Sequence, residues 1–298
     1  MKGLVRILPA ILAIQMSLAQ GQAGTTINSG NKFSYGANIE WMNWQGDGAN
    51  GAVIGAFVCS GNVWGANVGW INLGNGAPAN GIRYQNNGTA DFGVNHDGAG
   101  NLTGYAWGAN IGWLTFTNRT ATGTTYQGPK ADLLTGRLSG FVWSANCGWI
   151  SLSNQVAFVQ TDSMDFGADA DGDGLPDGWE LQFAPNLPVL NGAGDNDHDG
   201  FTNAEEFIAD TNPLDPNSNL RLINMTKAAP LSPVTLRWAS SPGRVYRIRS
   251  SASLLGIWQD TGIGLVSGDP GASTTRTFGG FADATGFFVI EAVKPLAP

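Results

Sequence analysis

Acidic side chains recur at alternate positions in two short stretches of the 298-residue chain. In the first, Asp169, Asp171, Asp173, Asp177 and Glu180 take positions one, three, five, nine and twelve, with Gly174 at six and Leu175 at seven. The second starts 26 residues later and repeats the plan with Asp195, Asp197, Asp199, Gly200, Phe201, Asn203 and Glu206. This spacing suits the ligation of a hard cation. Calcium takes roughly 6–8 oxygens at roughly 2.3–2.6 Å, and alternate residues on a tightly curved loop turn their oxygens inward. The glycine permits the curve. Leu175 and Phe201 offer backbone carbonyls, and Glu180 and Glu206 can bind through both oxygens. We therefore expect two Ca2+ ions. Residues 161–218 hold fourteen acids and no Lys or Arg. Two divalent ions offset much of that mutual repulsion, whereas a bare acidic linker leaves it standing.

Both stretches match the ligand plan of an EF-hand-type loop, and their flanks resemble thrombospondin type 3 and dockerin-like calcium repeats. Each loop runs into a short predicted helix: Trp179 to Phe183, stopped by Pro185, and Ala204 to Ala209. The segment Thr211-Asn-Pro-Leu-Asp215-Pro-Asn-Ser218 resembles the closing sequence of bacterial thrombospondin type 3 repeats. A dockerin would imply a cohesin partner. Dockerin loops usually carry Asn at more positions and stand at a chain end, whereas these loops lie between two β-rich regions. The resemblance thus implies a calcium-stiffened spacer. Full helix pairs are missing, which disfavours a sensor that opens on calcium. His198 falls between ligand positions and is expected to face solvent.

Catalytic motifs are not found: there is no H-E-x-x-H, G-x-S-x-G or Walker loop. Ser29-Gly-Asn-Lys32 spells S-x-x-K, but Gly and Asn disfavour the helix that motif needs. His96 is the one possible general base outside the acidic loops. Glu40, Asp47, Asp91 and Asp97 are the carboxylates a glycosidase would have to use. Nothing specific supports that use, so the expectation is a non-catalytic protein.

These loops must be held by the rest of the chain, which charge divides into three. Residues 20–160 carry five acids and five bases, and residues 219–298 carry four acids and eight bases. With the acidic stretch between them, this predicts domains at 20–160, 161–218 and 219–298. Lys2 and Arg6 precede an apolar run ending at Leu18, and Ser17-Leu-Ala19 supplies small residues for cleavage. Residues 1–19 therefore read as a secretory signal peptide, too short to span a bilayer, which takes about 20 apolar residues. With no further apolar segment, the expectation is a secreted protein, extracellular or attached to the cell surface, with no membrane span. The sequons at Asn87, Asn101, Asn118 and Asn224 matter only in a eukaryotic secretory route. Net charge of −8 and the lack of a basic cluster exclude a nucleic-acid partner. Cys59 and Cys147 are either a disulfide or two buried thiols.

A repeat fills residues 20–160. Trp64-Gly-Ala-Asn-Val-Gly-Trp70-Ile-Asn-Leu73 returns as Trp107-Gly-Ala-Asn-Ile-Gly-Trp113-Leu-Thr-Phe116 and as Trp143-Ser-Ala-Asn-Cys-Gly-Trp149-Ile-Ser-Leu152. A first copy, Tyr35-Gly-Ala-Asn-Ile-Glu-Trp41-Met-Asn-Trp44, departs by Glu40 and Trp44. It is either a capping unit or a site. Each copy reads as a β-hairpin with a Gly/Asn turn, and stacked units would bury a shared core. The bland reading of the tryptophans is that they form core layers. The functional one is a row of exposed rings for sugars. The repeat resembles the Trp-Gly hairpin repeats (GYAWxxNxGWIxF) of exported bacterial proteins of unknown activity.

In residues 219–298 about seven short strands suggest a β-sandwich. Leu236-x-Trp238 followed by Tyr246-x-Ile248 resembles two strands of a fibronectin type III domain. Arg237, Arg247 and Arg249 share one parity, reading as a solvated face or a surface for an acidic partner. The fold class is mainly β: a repeated β-hairpin domain, a small calcium-loop module with short helices, and a C-terminal β-sandwich. The expected function is a calcium-binding modular protein in surface adhesion, matrix structure or polymer binding, with a polysaccharide or surface protein as partner. The alternatives are a carbohydrate-binding protein using the repeat aromatics and, less favoured, a secreted glycoside hydrolase.

Overall fold

A computed structural model describes residues 24–46, 48–121, 124–229, 231–280 and 286–297. The signal-peptide expectation at residues 1–19 and the candidate carboxylate Asp47 lie outside them. The chain is mainly β and forms two compact units, Gln20–Asn191 and Gly192–Pro295.

In the first unit the four repeats form four antiparallel hairpins. These are Ile27–Gly36 with Glu40–Asn43, Cys59–Gly65 with Gly69–Asn75, Leu102–Gly108 with Gly112–Phe116, and Phe141–Ser144 with Gly148–Ser151. Neighbouring hairpins pair edge to edge through equivalent residues: Met42 with Gly65, Ile71 with Gly108, Leu114 with Ser144, and Ile150 with Gly36. The last pairing closes the sheet, so the repeats make an eight-stranded β-barrel rather than a linear stack. Closure removes the exposed edges that a stack of hairpins would present.

The strand period of two sends alternate residues inward. Ser34, Val63, Ala106 and Val142 form one buried layer, and Met42, Ile71, Leu114 and Ile150 a second. Trp44, Leu73, Phe116 and Leu152 form a third. Each turn then folds Ile39, Val68, Ile111 or Cys147 over one end as a plug. The turn asparagine repeated in each copy locks these plugs in a ring: Asn67 donates to the Ile39 carbonyl, Asn110 to Val68, Asn146 to Ile111 and Asn38 to Cys147, at 3.4, 3.2, 3.0 and 3.0 Å. Cys59 and Cys147 are both buried free thiols.

The tryptophans do not form the core layers expected of them. Trp41, Trp64, Trp70, Trp107 and Trp113 keep 41%, 40%, 43%, 39% and 39% of their surface exposed, while only Trp44 of the repeat is buried. In W-I-x-L the indole points opposite to the Ile and Leu, and an eight-stranded barrel has room inside only for its filling side chains. The rings instead pair across each hairpin on the outer wall.

The second unit places two three-stranded antiparallel sheets around one core. One holds Leu222–Lys227, Pro233–Ala239 and Ser273–Gly280, and the other Gln259–Ser267, Val245–Ser251 and Phe287–Val293. Trp238 of the first meets Tyr246 of the second edge to face at 5.6 Å, with Leu236, Ile248 and Ile290 beside them. On the second sheet Arg247 and Arg249 share Glu291 at 3.9 and 3.3 Å, and on the first sheet Arg237 donates to Ser273. The face holding Arg247 and Arg249 thus supplies its own counterion.

Candidate metal centres

The two acidic loops fold alike, each beside its own helix. Helix α1 spans Asp177–Phe183 and helix α2 spans Asn203–Ala209. Thr202 caps α2 in a capping box with Glu205, which satisfies two of the free N–H groups at its start. In the first loop the turn residues Gly172 and Gly174 have φ of +75° and +94°, and in the second His198 and Gly200 have +63° and +95°. His198 is exposed, as its position predicts, and its Nδ1 lies 2.8 Å from the Asp195 carbonyl.

The curvature gathers the aspartates. Carboxylate oxygens of Asp169, Asp171 and Asp173 all lie within 4.8 Å of one another, as do those of Asp195, Asp197 and Asp199. Backbone donors hold them in place. Asp169 accepts from the N–H groups of Gly172, Asp173 and Gly174, and Asp195 accepts from Gly200. Asp177 Oδ1 accepts from the Ala170 N–H at 2.7 Å, tying the ninth position of the loop to its second.

Each helix adds one buried glutamate. Glu180 is fully buried, and neither carboxylate oxygen has a hydrogen-bond partner in the described residues. Glu206 is 1% exposed; its Oε1 accepts from Thr211 at 3.2 Å, while its Oε2 has no partner. A buried, unpaired carboxylate costs several kcal/mol, so such a group either holds a proton or faces a cation. Burial pushes Glu180 up to about 7, with Asp173, Asp171, Asp177 and Asp169 adding to the shift. Burial pushes Glu206 up to about 8, aided by Asp197 and opposed by the Thr211 hydrogen bond. Asp171 and Asp197 are raised too, first by desolvation. Both sites are over-supplied with negative charge and oxygen donors, the donor set a hard divalent cation requires.

Of the remaining expected ligands, Leu175 is buried and Phe201 half-buried, and the Asn203 side-chain amide donates to Asn196 at 3.0 Å. Two supports were missed by the sequence reading. Thr211, in the closing segment, holds Glu206, and Asn219 donates to Asp199 Oδ2 at 3.0 Å. Thr211 was visible in the closing sequence, whereas nothing marked Asn219.

The candidate catalytic groups are scattered. His96 is fully buried, neither ring nitrogen has a hydrogen-bond partner in the described residues, and burial pushes it down to about 4. Asp91 accepts from the Ala79 and Gln85 amides, and Asp97 from Ala99 and Asn101. Both thereby stabilise turns. Lys32 of the S-x-x-K stretch lies on the first strand and donates to Gln45. Glu40 stands exposed on the barrel wall.

The family profile for the Bacterial TSP3 repeat matches residues 169–182 and 195–216, which cover both loops, the first with most of α1 and the second with α2 and most of the closing segment. No curated protein and no solved structure matches the chain. The repeat match and the two aspartate triads together imply calcium binding.

Proposed function

We propose that this protein is an exported, non-catalytic modular protein that binds two calcium ions and acts in surface adhesion, matrix structure or polymer binding outside the cell. The observation that carries this reading is the pair of aspartate triads, each backed by a buried glutamate. Asp169, Asp171, Asp173, Leu175, Asp177 and Glu180 would hold one ion. Asp195, Asp197, Asp199, Phe201, Asn203 and Glu206 would hold the other. Calcium there supplies positive charge that binds loop to helix. The barrel unit and the C-terminal unit, each with its own acidic loop, then present the barrel wall and the C-terminal sheets to partners.

Calorimetric titration of the chelator-treated protein tests the reading. Two ions per chain are expected, with one lost in Asp173→Ala and the other in Asp199→Ala. No binding heat and no calcium-dependent change in melting would refute it. A second reading, carbohydrate binding, is favoured by the exposed indoles of the barrel. Retention of the protein on insoluble polysaccharides, with calcium and with chelator, tests that one.

A further inference from the structure

The barrel wall carries paired rings at equivalent places on each hairpin. Tyr35 and Trp41 lie 4.9 Å apart at 58°, Trp64 and Trp70 4.8 Å at 57°, and Trp107 and Trp113 4.7 Å at 63°. The fourth pair is closed by this chain's own residues. The Arg119 guanidinium sits 3.8 Å above Trp143, and the Tyr126 ring stacks on Trp149 at 4.3 Å and 25°. The wall therefore accepts flat groups against its rings, and the other three pairs keep about 40% of their surface exposed, the third with Phe92 edge-on to Trp113 at 5.1 Å. Each open pair abuts a polar side chain or a further ring. Asn43 and Asn72 are in cross-strand register with Trp64 and Trp107, and Phe33 meets Trp41 edge to face.

The first platform differs from the others in one residue. Glu40 holds φ +64° where Gly69, Gly112 and Gly148 have +77°, +71° and +79°. A side chain is costly in this left-handed region, and such strain gathers at functional positions. Glu40 is exposed, directly precedes Trp41 in the chain, and makes no ion pair among the described residues.

The dimensions of the wall select its occupant. Two aromatic rings exposed to about 40% leave on the order of 200 Å² of ring surface per platform. A stable protein interface takes about 800 Å² per partner. A membrane-spanning barrel needs an unbroken apolar band about 25 Å tall, whereas Asn43, Asn62, Asn72 and Thr115 interrupt these rings. Residues 20–160 are balanced at five acids and five bases, which suits an uncharged ligand. The apolar face of a pyranose fits a platform of this size, and its vicinal hydroxyls can donate to a carboxylate at the edge.

Building on the carbohydrate reading, we propose that the Glu40–Trp41 face is the principal saccharide subsite of this protein. It takes one hexose of a neutral polysaccharide, with the Trp64–Trp70 and Trp107–Trp113 pairs as further subsites.

Affinity electrophoresis of the full chain in calcium tests it, with laminarin, xyloglucan, mannan and galactan in the gel and chitosan and polygalacturonate as charged controls. At least one neutral polymer should retard the protein. Glu40→Gln and Trp41→Ala should each weaken retardation about tenfold or more, the scale of a lost charged hydrogen bond or ring contact. Trp107→Ala should cost less. Glu40→Gly should lose binding equally while melting no lower than the parent, separating recognition from folding. Binding that survives both first-platform variants but falls with Trp107→Ala would overturn this inference and leave the carbohydrate reading standing. Retardation by no neutral polymer, or by chitosan alone, would overturn both.

Discussion

At the residue scale, the barrel plug shows how one substitution compels another. A Cβ added to Gly36, Gly65 or Gly108 would lie 2.8, 2.6 or 2.7 Å from the Ile39, Val68 or Ile111 side chain above it. The fourth hairpin has Ser144 in the glycine's place, fully buried, and there the plug shrinks to Cys147. This pairing explains a cysteine that neither bonds its fellow nor faces solvent. Cys147→Ile should therefore overpack the plug and destabilise by about 1–3 kcal/mol. Adding Ser144→Gly should recover most of the loss, giving a coupling that urea melts of the two single variants and the double variant would measure. Additive losses would mean that the two side chains do not compete for space. The same logic explains Trp44. It replaces an aliphatic residue or Phe116 in its layer, and its indole N–H needs a partner, which Ser34 supplies at 2.9 Å.

At the element scale, each acidic loop is anchored through its helix. In the first unit, α1 lies against the barrel's connecting segments, where a Cβ on Gly178 would come within 3.1 Å of Phe57. In the second, buried Arg244 donates to the Phe207 and Ile208 carbonyls at 2.7 and 2.9 Å, satisfying the end of α2 from the adjoining sandwich. The loops were legible because ligation dictates residue type at fixed spacing. The direction of the tryptophans was also written in the sequence, since strict alternation places Trp and Ile on opposite faces. Ring size misled the reading toward a core, because the barrel closure that limits interior space depends on pairing between residues 36 and 150. Arg244 had no local signal at all, since its partners lie far away in sequence.

The glutamates of these elements make a prediction of their own. In calcium-free protein Glu206 and Glu180 are raised to about 8 and about 7, so both hold protons through part of the neutral range. A ligating carboxylate must be ionised, so calcium uptake near neutral pH should release protons. The release should fade as pH rises above about 8, where both groups are already ionised. The sign for stability is the reverse of that for a paired carboxylate. Without calcium, a raised folded value favours the folded state as pH falls through it, so the chelated protein should gain stability from about pH 8 down toward the ordinary glutamate value near 4.5. Binding heats in buffers of different ionisation enthalpy would measure the protons released. Equal heats in all buffers would show that the glutamates enter already ionised.

At the scale of the whole molecule, charge sets residues 161–218 apart, while packing divides the chain between Asn191 and Gly192. Residues 169–180 thus belong to the barrel unit and residues 195–206 to the sandwich unit. Composition reports where the acids are; it does not report which neighbours their helices bury against. The consequence is that each calcium site should stabilise its own unit. Differential scanning calorimetry of the full chain, with calcium and with chelator, tests this most directly. The account predicts that calcium raises the melting of both units, that Asp173→Ala abolishes the gain for residues 20–191 alone, and that Asp199→Ala abolishes it for residues 192–295 alone. An unchanged trace on chelation, or loss of both gains from either single substitution, would contradict it.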